Sequence, residues 1–541
     1  MQFVSVLGLI ALLGLAYAMS FDRSSVKLRP VFWGLGLQFV LALIILREDV
    51  LSFIGMGALG LLVIAYLFDE PNPDRGAHLR RNAVIVAASA AVGAGLVFAP
   101  SIALSVGSYA AIVVLLVNAR LKFLGKAKPA VGALVVLCGV AWLVSEQVYG
   151  RTLFGSFSDS VGNFLTVSDY GARFLFGNFA DPEHYFVADG SPWPGFGFLF
   201  AFKVLPTIIF FGGLMSVLYY FGIVQVAIEA LAKFMRWTIG TSGAETMSCT
   251  ANIFVGQTEA PLLVRPFLSG MTKSELLTIM VGGFATIAGG VLAGYIAMGV
   301  PAGHLIAAAV MSAPAALVVG KIIFPETEES QTSGVVALPE IDVGDNAVEA
   351  ASRGITDGLK LAVNVGAMLL GFIALIAVLD LILGFADGLI DGKLLGGERI
   401  EYAAVGLSPI TGEYVGYFPG SLQTLFGTLL RPLAFLMGVP WEDAALVGNL
   451  LGVKLALNEF VSYGTLGTYI QNEALGERGM IISTYALCGF ANFSSIGIQV
   501  GGIGALAPER RPELAALGMR AMFGGAIASW LTAVFAGMLL I

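Results

Sequence analysis

Long apolar runs, separated by short polar stretches, recur along the whole chain. A helix must present about 20 mostly apolar residues to cross the hydrocarbon core of a bilayer. The pattern therefore predicts an all-α polytopic membrane protein. The predicted crossings are residues 3–19, 30–46, 51–68, 82–98, 102–117, 129–144, 198–218, 276–298, 305–323, 361–383, 481–500 and 517–540.

Basic residues cluster in alternate loops, and such clusters mark the cytoplasmic side of a membrane protein. The clusters that follow the first, third and fifth predicted crossings contain Arg23, Lys27, Arg29, Arg75, Arg80, Arg81, Arg120, Lys122, Lys126 and Lys128. The first crossing lacks a basic leading region, so it does not resemble a secretory signal. The alternation predicts an inner-membrane protein with both termini on the outer, periplasmic side.

A more polar interval at 146–197 falls on the outer face in this topology. Aromatic side chains are enriched at the membrane–water boundary, and an amphipathic helix can lie there in the plane of the membrane. We therefore expect an interfacial helix. The aromatic residues that suggest it include Phe154, Tyr170, Phe174, Tyr185 and Trp193.

Composition agrees with a single membrane unit, because only 12% of the 541 residues are charged and mean hydropathy is +0.86. The net charge of -8 comes largely from short loops, so it does not indicate a nucleic-acid partner. Its main source is the loop with Glu326, Glu328, Glu329, Glu340, Asp342, Asp345 and Glu349. Cys138, Cys249 and Cys488 have no metal-binding spacing, and no catalytic motif is present, so an enzyme is not expected.

Two further segments, 243–270 and 448–475, are apolar but interrupted by Gly, Asn, Thr and Glu. Irregular polar backbone is tolerated at membrane depth only where it is buried in protein or lines a cavity. We therefore predict that each segment is a re-entrant hairpin rather than a crossing helix.

The hairpin segments belong to a repeat. Gly283-Phe284-Ala285-Thr286 matches Gly489-Phe490-Ala491-Asn492, and each string follows the glutamate of a hairpin segment, Glu259 or Glu459. The loop count makes the repeats inverted, each with a hairpin and then a discontinuous helix. Inverted repeats with broken helices around a polar midplane site are typical of secondary transporters. The two glutamates are therefore expected to share one cavity.

Three strings identify a family. They are Gly256-Gln257-Thr258-Glu259-Ala260-Pro261-Leu262, Asn458-Glu459-Phe460-Val461-Ser462-Tyr463 and Gly489-Phe490-Ala491-Asn492-Phe493-Ser494-Ser495-Ile496-Gly497. Together they resemble the concentrative nucleoside transporter family over about residues 197–541 and the first two spans. The resemblance implies a homotrimer in the lipid membrane, with a scaffold and a mobile transport domain in each protomer.

The resemblance also implies a nucleoside site. It assigns Gln257, Thr258 and Glu259 to the nucleobase, and Phe490 and Val291 to positions beside the base. Glu459, Asn492 and Ser495 are assigned to the ribose. The chemistry is suitable, because an ionised carboxylate accepts strong hydrogen bonds from ribose hydroxyls and an amide matches the mixed donors and acceptors of a base edge.

The resemblance also implies a coupling ion. The family's sodium site maps onto Asn252, Val255, Thr286 and Ile287, whose neutral oxygens suit a small hard cation. Proton coupling through Glu259 or Glu459 is the alternative. No other cofactor is expected. Purine or pyrimidine preference stays open, with both classes expected to be accepted.

The expected organisation is an N-terminal transmembrane region at 1–150, an outer interfacial helix and scaffold span at 151–220, and repeat 1 at 221–325. An acidic loop, scaffold span and outer loop follow at 326–420, and repeat 2 at 421–541. Spans 51–144 are additional to the family pattern. The expected function is cation-driven nucleoside import by elevator-like alternating access. The alternatives are a passive facilitator, a membrane enzyme and a carrier of another polar metabolite.

Several site residues also have simpler interpretations. Lys454 could neutralise Glu459 in a packing pair. Asn252, Thr286 and Ser495 could hydrogen-bond their own helices. Phe490 could be a core residue.

Overall fold

The computed structural model describes residues 1–69, 75–181, 184, 199–332, 344–401 and 412–540. Tyr185, Trp193, Glu340 and Asp342, named in the expectations above, lie outside these residues. The described chain is divided into two compact units. The larger combines Met1–Leu35 with Ser158–Leu540, and the smaller is Gly36–Phe157.

The described α-helices run in chain order as follows. They are α1 Gln2–Ala18, α2 Leu28–Leu46, α3 Val50–Leu67, α4 Arg75–Leu96, α5 Ser101–Leu121, α6 Lys128–Ser145, α7 Gly150–Leu165, α8 Ser168–Phe176, α9 Phe200–Tyr220, α10 Ile223–Ile239, α11 Gly243–Ala251, α12 Lys273–Ala285, α13 Gly289–Ala297, α14 Ala302–Ile323, α15 Ala347–Asp387, α16 Leu422–Leu436, α17 Ala444–Ala456, α18 Glu459–Gln471, α19 Glu477–Leu487, α20 Phe493–Leu506 and α21 Arg511–Leu539. Strands β1 Arg399–Glu401 and β2 Gly412–Tyr414 pair antiparallel, with Arg399 opposite Tyr414.

The smaller unit contains α3 to α6, which cover the spans that the sequence marks as additional. The Asp49 carboxylate caps α3 by accepting from Leu51 N at 3.0 Å. Leu104, Cys138 and Ala141 form a buried cluster, so this cysteine packs in the core of the smaller unit. A cavity of about 210 Å³ in this unit is lined by apolar side chains, glycines and one serine. None of its described lining residues is charged or an amide.

In the larger unit, each predicted crossing corresponds to a helix or a pair of helices. Crossing 276–298 is interrupted between α12 and α13, and crossing 481–500 between α19 and α20, as the discontinuous-helix pattern predicts. Helices α14 and α21 form the core. In each of them 89% of the most apolar 18-residue stretch is buried, against 11% for α15. Amphipathic α10 was not predicted, because Glu229, Lys233 and Arg236 interrupt its apolar run.

The polar segments form short helices joined by interruptions. Segment 243–270 is hairpin 1, and segment 448–475 is hairpin 2. In hairpin 1, α11 is followed by a non-helical tip and the 3-10 stretch Ala260–Gly270. In hairpin 2, α17 and α18 flank Leu457 and Asn458, and the hairpin begins at Ala444, earlier than the predicted residue 448.

Capping side chains fix where the hairpin and broken helices begin. Ser242 with Glu245, and Thr272 with Glu275, form capping boxes at the starts of α11 and α12. Asn458 and Asn492 cap α18 and α20, accepting from Val461 N and Ser495 N, each at 2.9 Å. Each cap satisfies backbone donors that a helix start would otherwise leave unpaired.

The two broken helices meet at their interruptions. Gly489 has a φ of +133°, and a Cβ placed on it would lie 2.4 Å from the Phe284 carbonyl oxygen. A glycine is therefore required there, both for the backbone conformation and for the close approach. This contact brings the end of α12 against the interruption between α19 and α20.

Candidate functional site

A cavity of about 640 Å³ within the larger unit contains the predicted substrate residues. Its volume lies within the usual range for small-molecule pockets, about 300–1,000 Å³. Both hairpins, both broken helices and α15 contribute to its walls. Gln257, Thr258, Glu259, Val291, Glu459, Phe490, Asn492 and Ser495 all line it. The structure therefore brings Glu259 and Glu459 to one shared cavity.

Glu459 lies at the first residue of α18 and is 5% exposed. Asn492 Nδ2 donates to Glu459 Oε2 at 3.0 Å, and the Tyr295 hydroxyl donates to Glu459 Oε1 at 3.4 Å. The partial positive charge at a helix N-terminus stabilises a carboxylate. Glu459 is thus held in place by α13 and the α20 cap, with one edge on the cavity.

Gln257 forms a second polar group with residues of α20. Its Nε2 donates to Ser495 Oγ at 3.3 Å, and its Oε1 accepts from Gln499 Nε2 at 3.0 Å. Gln499 also donates to the Met280 carbonyl at 3.1 Å and is fully buried. The Gln257 amide is therefore oriented from behind, by a residue that does not line the cavity.

The tip of hairpin 1 also presents Glu259 to the cavity. Its side chain is exposed, and Oε2 accepts from the backbone N–H of Gly256. No basic group pairs with it within the described chain. Thr258, Glu259 and Phe490 reach the cavity surface more openly than Gln257, Val291 or Asn492, which are almost completely buried.

Helix α15 supplies an apolar wall that the sequence analysis did not assign to the site. Leu361, Val365, Met368, Phe372 and Leu375 line the cavity from this helix, together with Asn364. Their spacing of about three or four residues places them on one helical face. Asn364 was the available signal, because it is the only amide in the predicted crossing 361–383. Gln499 and Tyr295 were missed because their partners are distant in sequence.

The residues assigned to sodium also come together. Asn252 Nδ2 lies close to Gly282 of α12, and Gly289 N donates to the Phe254 carbonyl at 3.3 Å. The tip of hairpin 1 thus packs against the interruption after α12. Asn252, Thr286 and Ile287 are at most 2% exposed.

Backbone carbonyls at this junction are available to a cation. Within the described chain, no donor is recorded for the carbonyl oxygens of Val255 and Ile287. Unpaired carbonyls of unwound helices are the usual ligands of coupling ions in broken-helix transporters. Together with the Asn252 amide and the Thr286 hydroxyl, they form a neutral oxygen set that fits sodium.

The simpler interpretations of these residues have different outcomes. Lys454 makes no ion pair with Glu459 in the described chain and instead donates to Ala486 and Ser529. Ser495 contacts Gln257 rather than its own helix. Asn252 and Thr286 do hydrogen-bond their own helices, to Ser248 O at 3.1 Å and Gly282 O at 3.2 Å.

A cavity that holds buried polar side chains between interrupted helices of a membrane domain is typical of a secondary transporter of a polar solute. Comparison with known families agrees. Residues 7–68 and 304–537 match the models "Na+ dependent nucleoside transporter N-terminus" and "C-terminus", and residues 201–302 match "Nucleoside recognition". The chain belongs to the Na⁺-dependent, or concentrative, nucleoside transporter family, and it is not an enzyme. The N-terminal match reaches residue 68, one predicted span beyond the resemblance given above.

Individual relatives show the same similarity. The chain is 44% identical over 432 residues to an uncharacterised transporter of Haemophilus influenzae, covering 79% of this chain and 94% of that one. It is 38% identical over 411 residues to the nucleoside permease NupC of Helicobacter pylori, covering 75% and 90%. CNTnw in an inward-facing substrate-bound state superimposes with a TM-score of 0.68 at 33% identity, covering 100% of this chain and 98% of CNTnw.

Proposed function

We propose that this protein is a symporter that imports nucleosides across the bacterial inner membrane, driven by a sodium gradient. The observation that carries the proposal is the single cavity, in which residues of both hairpins and both broken helices surround space of suitable size. Membership of the Na⁺-dependent nucleoside transporter family supports both the proposed transport activity and the proposed sodium dependence.

Each side of the cavity has a proposed role. Glu459, held by Asn492 and Tyr295, accepts hydrogen bonds from the ribose hydroxyls. Gln257 and Thr258 with Glu259 face the base, while Val291 and Phe490 provide apolar contact beside it. Ser495 joins the two groups, because it contacts Gln257 and lies on the helix that Asn492 caps.

Sodium is proposed to bind at Asn252, Val255, Thr286 and Ile287. The support is the burial of Asn252, Thr286 and Ile287, together with the carbonyls of Val255 and Ile287, for which the described chain supplies no recorded donor. When bound, the ion would join the tip of hairpin 1 to the interruption after α12. Glu259 and Glu459 are the candidates for proton carriers if the protein uses protons instead.

We further propose an elevator-like mechanism in which repeats 1 and 2, at 221–325 and 421–541, move as a transport domain. Segments 151–220 and 326–420 would provide the scaffold, with a homotrimer in the lipid bilayer and both termini in the periplasm. The support is the contrast in burial between helices of the two proposed parts. The most apolar stretches of α14 and α21 are 89% buried, whereas that of α15 is 11% buried. Cross-linking of purified protein should give a three-subunit species, and a strictly monomeric protein would contradict the trimer.

The direct test is uptake of radiolabelled uridine into proteoliposomes with and without an inward sodium gradient. Wild type should accumulate uridine only with the gradient. Glu459→Gln keeps the shape but removes the charge, so uptake should fall about 10-fold or more, since hydrogen bonds to charged groups contribute about 1.5–3 kcal/mol. Glu473→Gln, on an exposed turn after α18, is the matched control.

Each alternative gives a different outcome. Equilibration without accumulation would indicate a passive facilitator. Accumulation driven by a pH gradient, without sodium, would indicate proton coupling. Failure of unlabelled uridine and adenosine to compete with the transported solute would indicate another cargo. Unchanged uptake by Glu459→Gln would remove Glu459 from the ribose role.

A further inference from the structure

Lys454 is a buried cation within the transport repeats that no role described above uses. It lies in the last turn of α17 and is 0% exposed. Its ammonium donates to the Ala486 carbonyl at 2.9 Å and to Ser529 Oγ at 3.0 Å. Ala486 is at the carbonyl end of α19, next to the interruption, and Ser529 is on α21. A fully buried lysine is rare unless its charge is compensated.

These contacts have counterparts in repeat 1. Asn252 ends the first helix of hairpin 1, as Lys454 lies in the last turn of the first helix of hairpin 2. Thr286 ends α12 at its interruption and its hydroxyl lies 2.8 Å from Ser312 Oγ of α14, the long helix that follows the broken helix of repeat 1. Ser529 lies on α21, the long helix that follows the broken helix of repeat 2. The Lys454 ammonium therefore lies among the first hairpin helix, the first half of the broken helix and the long helix of repeat 2, and the counterparts of these three elements in repeat 1 carry Asn252, Thr286 and Ser312.

The two junctions differ in how their oxygens are satisfied. In repeat 1, the carbonyls of Val255 and Ile287 have no recorded donor in the described chain. In repeat 2, the lysine ammonium already satisfies a carbonyl and a hydroxyl. The charges of the two hairpins differ as well, because no basic group pairs with Glu259 in the described chain, whereas hairpin 2 carries both Glu459 and the buried Lys454 ammonium.

We propose that Lys454 is a covalently attached cation that takes, in repeat 2, the place that the coupling ion takes in repeat 1. Repeat 2 then needs no ion of its own, and one sodium ion moves with each nucleoside. Replacing the lysine by a residue with a neutral oxygen should open a second sodium site. The inference rests on the proposed sodium-coupled function.

The test compares Lys454→Asn with Lys454→Met in proteoliposomes. Asparagine offers an amide oxygen and leaves space for an ion, whereas methionine offers neither charge nor a comparable ligand. For Lys454→Asn, the Hill coefficient for sodium should rise from about 1 to about 2, because the coefficient is bounded by the number of sites. The charge moved per nucleoside, from reversal potentials, should rise in parallel. Lys454→Met should lose uptake at every sodium concentration.

Lys360→Met is the control for the methionine substitution, because the Lys360 side chain is 70% exposed. If both Lys454 variants keep the wild-type Hill coefficient and charge ratio, Lys454 is only a packing residue and the proposal is wrong. If neither variant inserts, the wild type still decides, since one charge per nucleoside supports the proposal and two overturn it. A wild type without sodium-stimulated uptake would instead overturn the proposed function.

Discussion

Gln499→Met tests whether a residue behind the cavity controls substrate affinity. Gln499 is fully buried and donates to Gln257 Oε1 and the Met280 carbonyl at 3.0 and 3.1 Å. Methionine keeps nearly the same length but cannot donate, so the Gln257 amide loses its anchor. A neutral hydrogen bond contributes about 0.5–1.5 kcal/mol, and each 1.4 kcal/mol is tenfold in affinity. The KM for nucleoside uptake should therefore rise about 2- to 10-fold.

The assay is concentration-dependent uridine uptake at matched amounts of reconstituted protein. Because Gln257 is proposed to face the base, inhibition by adenosine should weaken while any inhibition by free ribose stays unchanged. Gln225→Met in α10 is the matched control, since Gln225 donates to Tyr219 O and does not line the cavity. A KM within twofold of wild type, or equal loss of ribose and adenosine inhibition, would refute the assignment of Gln499 as the residue that positions Gln257.

Three further predictions concern other parts of the structure. Glu245 lies 2.7 Å from the Lys321 ammonium, so Lys321→Met leaves this carboxylate buried without its cation. The free energy of unfolding in detergent should therefore fall by about 3–5 kcal/mol, and an unchanged thermal midpoint would contradict this. Gly489→Ala places a Cβ against Phe284 O and should abolish uptake, whereas Gly497→Ala, with open space around it, should not; equal uptake by both would show that the helix crossing tolerates a side chain. Sodium should lower the nucleoside KM, and nucleoside should lower the half-saturating sodium concentration, by the same factor where both quantities report binding. Unequal factors in equilibrium binding measurements would rule out direct linkage between the two sites.

The sequence predicted the fold and the cavity where a local pattern carries the information. Helices are read from apolar runs, and Gln257, Glu259 and Glu459 from polar residues inside such runs. The groups that orient them could not be predicted in this way. Gln499 lies 242 residues from its partner Gln257, and Tyr295 lies 164 residues from Glu459. Only the packed fold determines such pairs, because no periodicity joins residues so far apart.

Lys454 shows the same limit for two residues that are close in sequence. Its closeness in sequence to Glu459 suggests an ion pair. The interruption at Leu457 and Asn458 turns the chain, so the ammonium points to α19 and α21 and Glu459 points to the cavity. Closeness in sequence therefore does not identify the partners of a residue beside an interrupted helix.

The tip of hairpin 1 provides a physical link between ion and substrate. It begins with Asn252 and Val255 and ends with Gln257 and Glu259, and no regular α-helix joins them. A continuous helix would consume these carbonyls in its own hydrogen bonds, leaving nothing for a cation. Because the tip is interrupted, an ion bound at its start would restrict the backbone that positions the base-side residues at its end. Substrate bound at that end would hold the carbonyls in place for the ion, so the same irregular segment makes the two binding events favour each other.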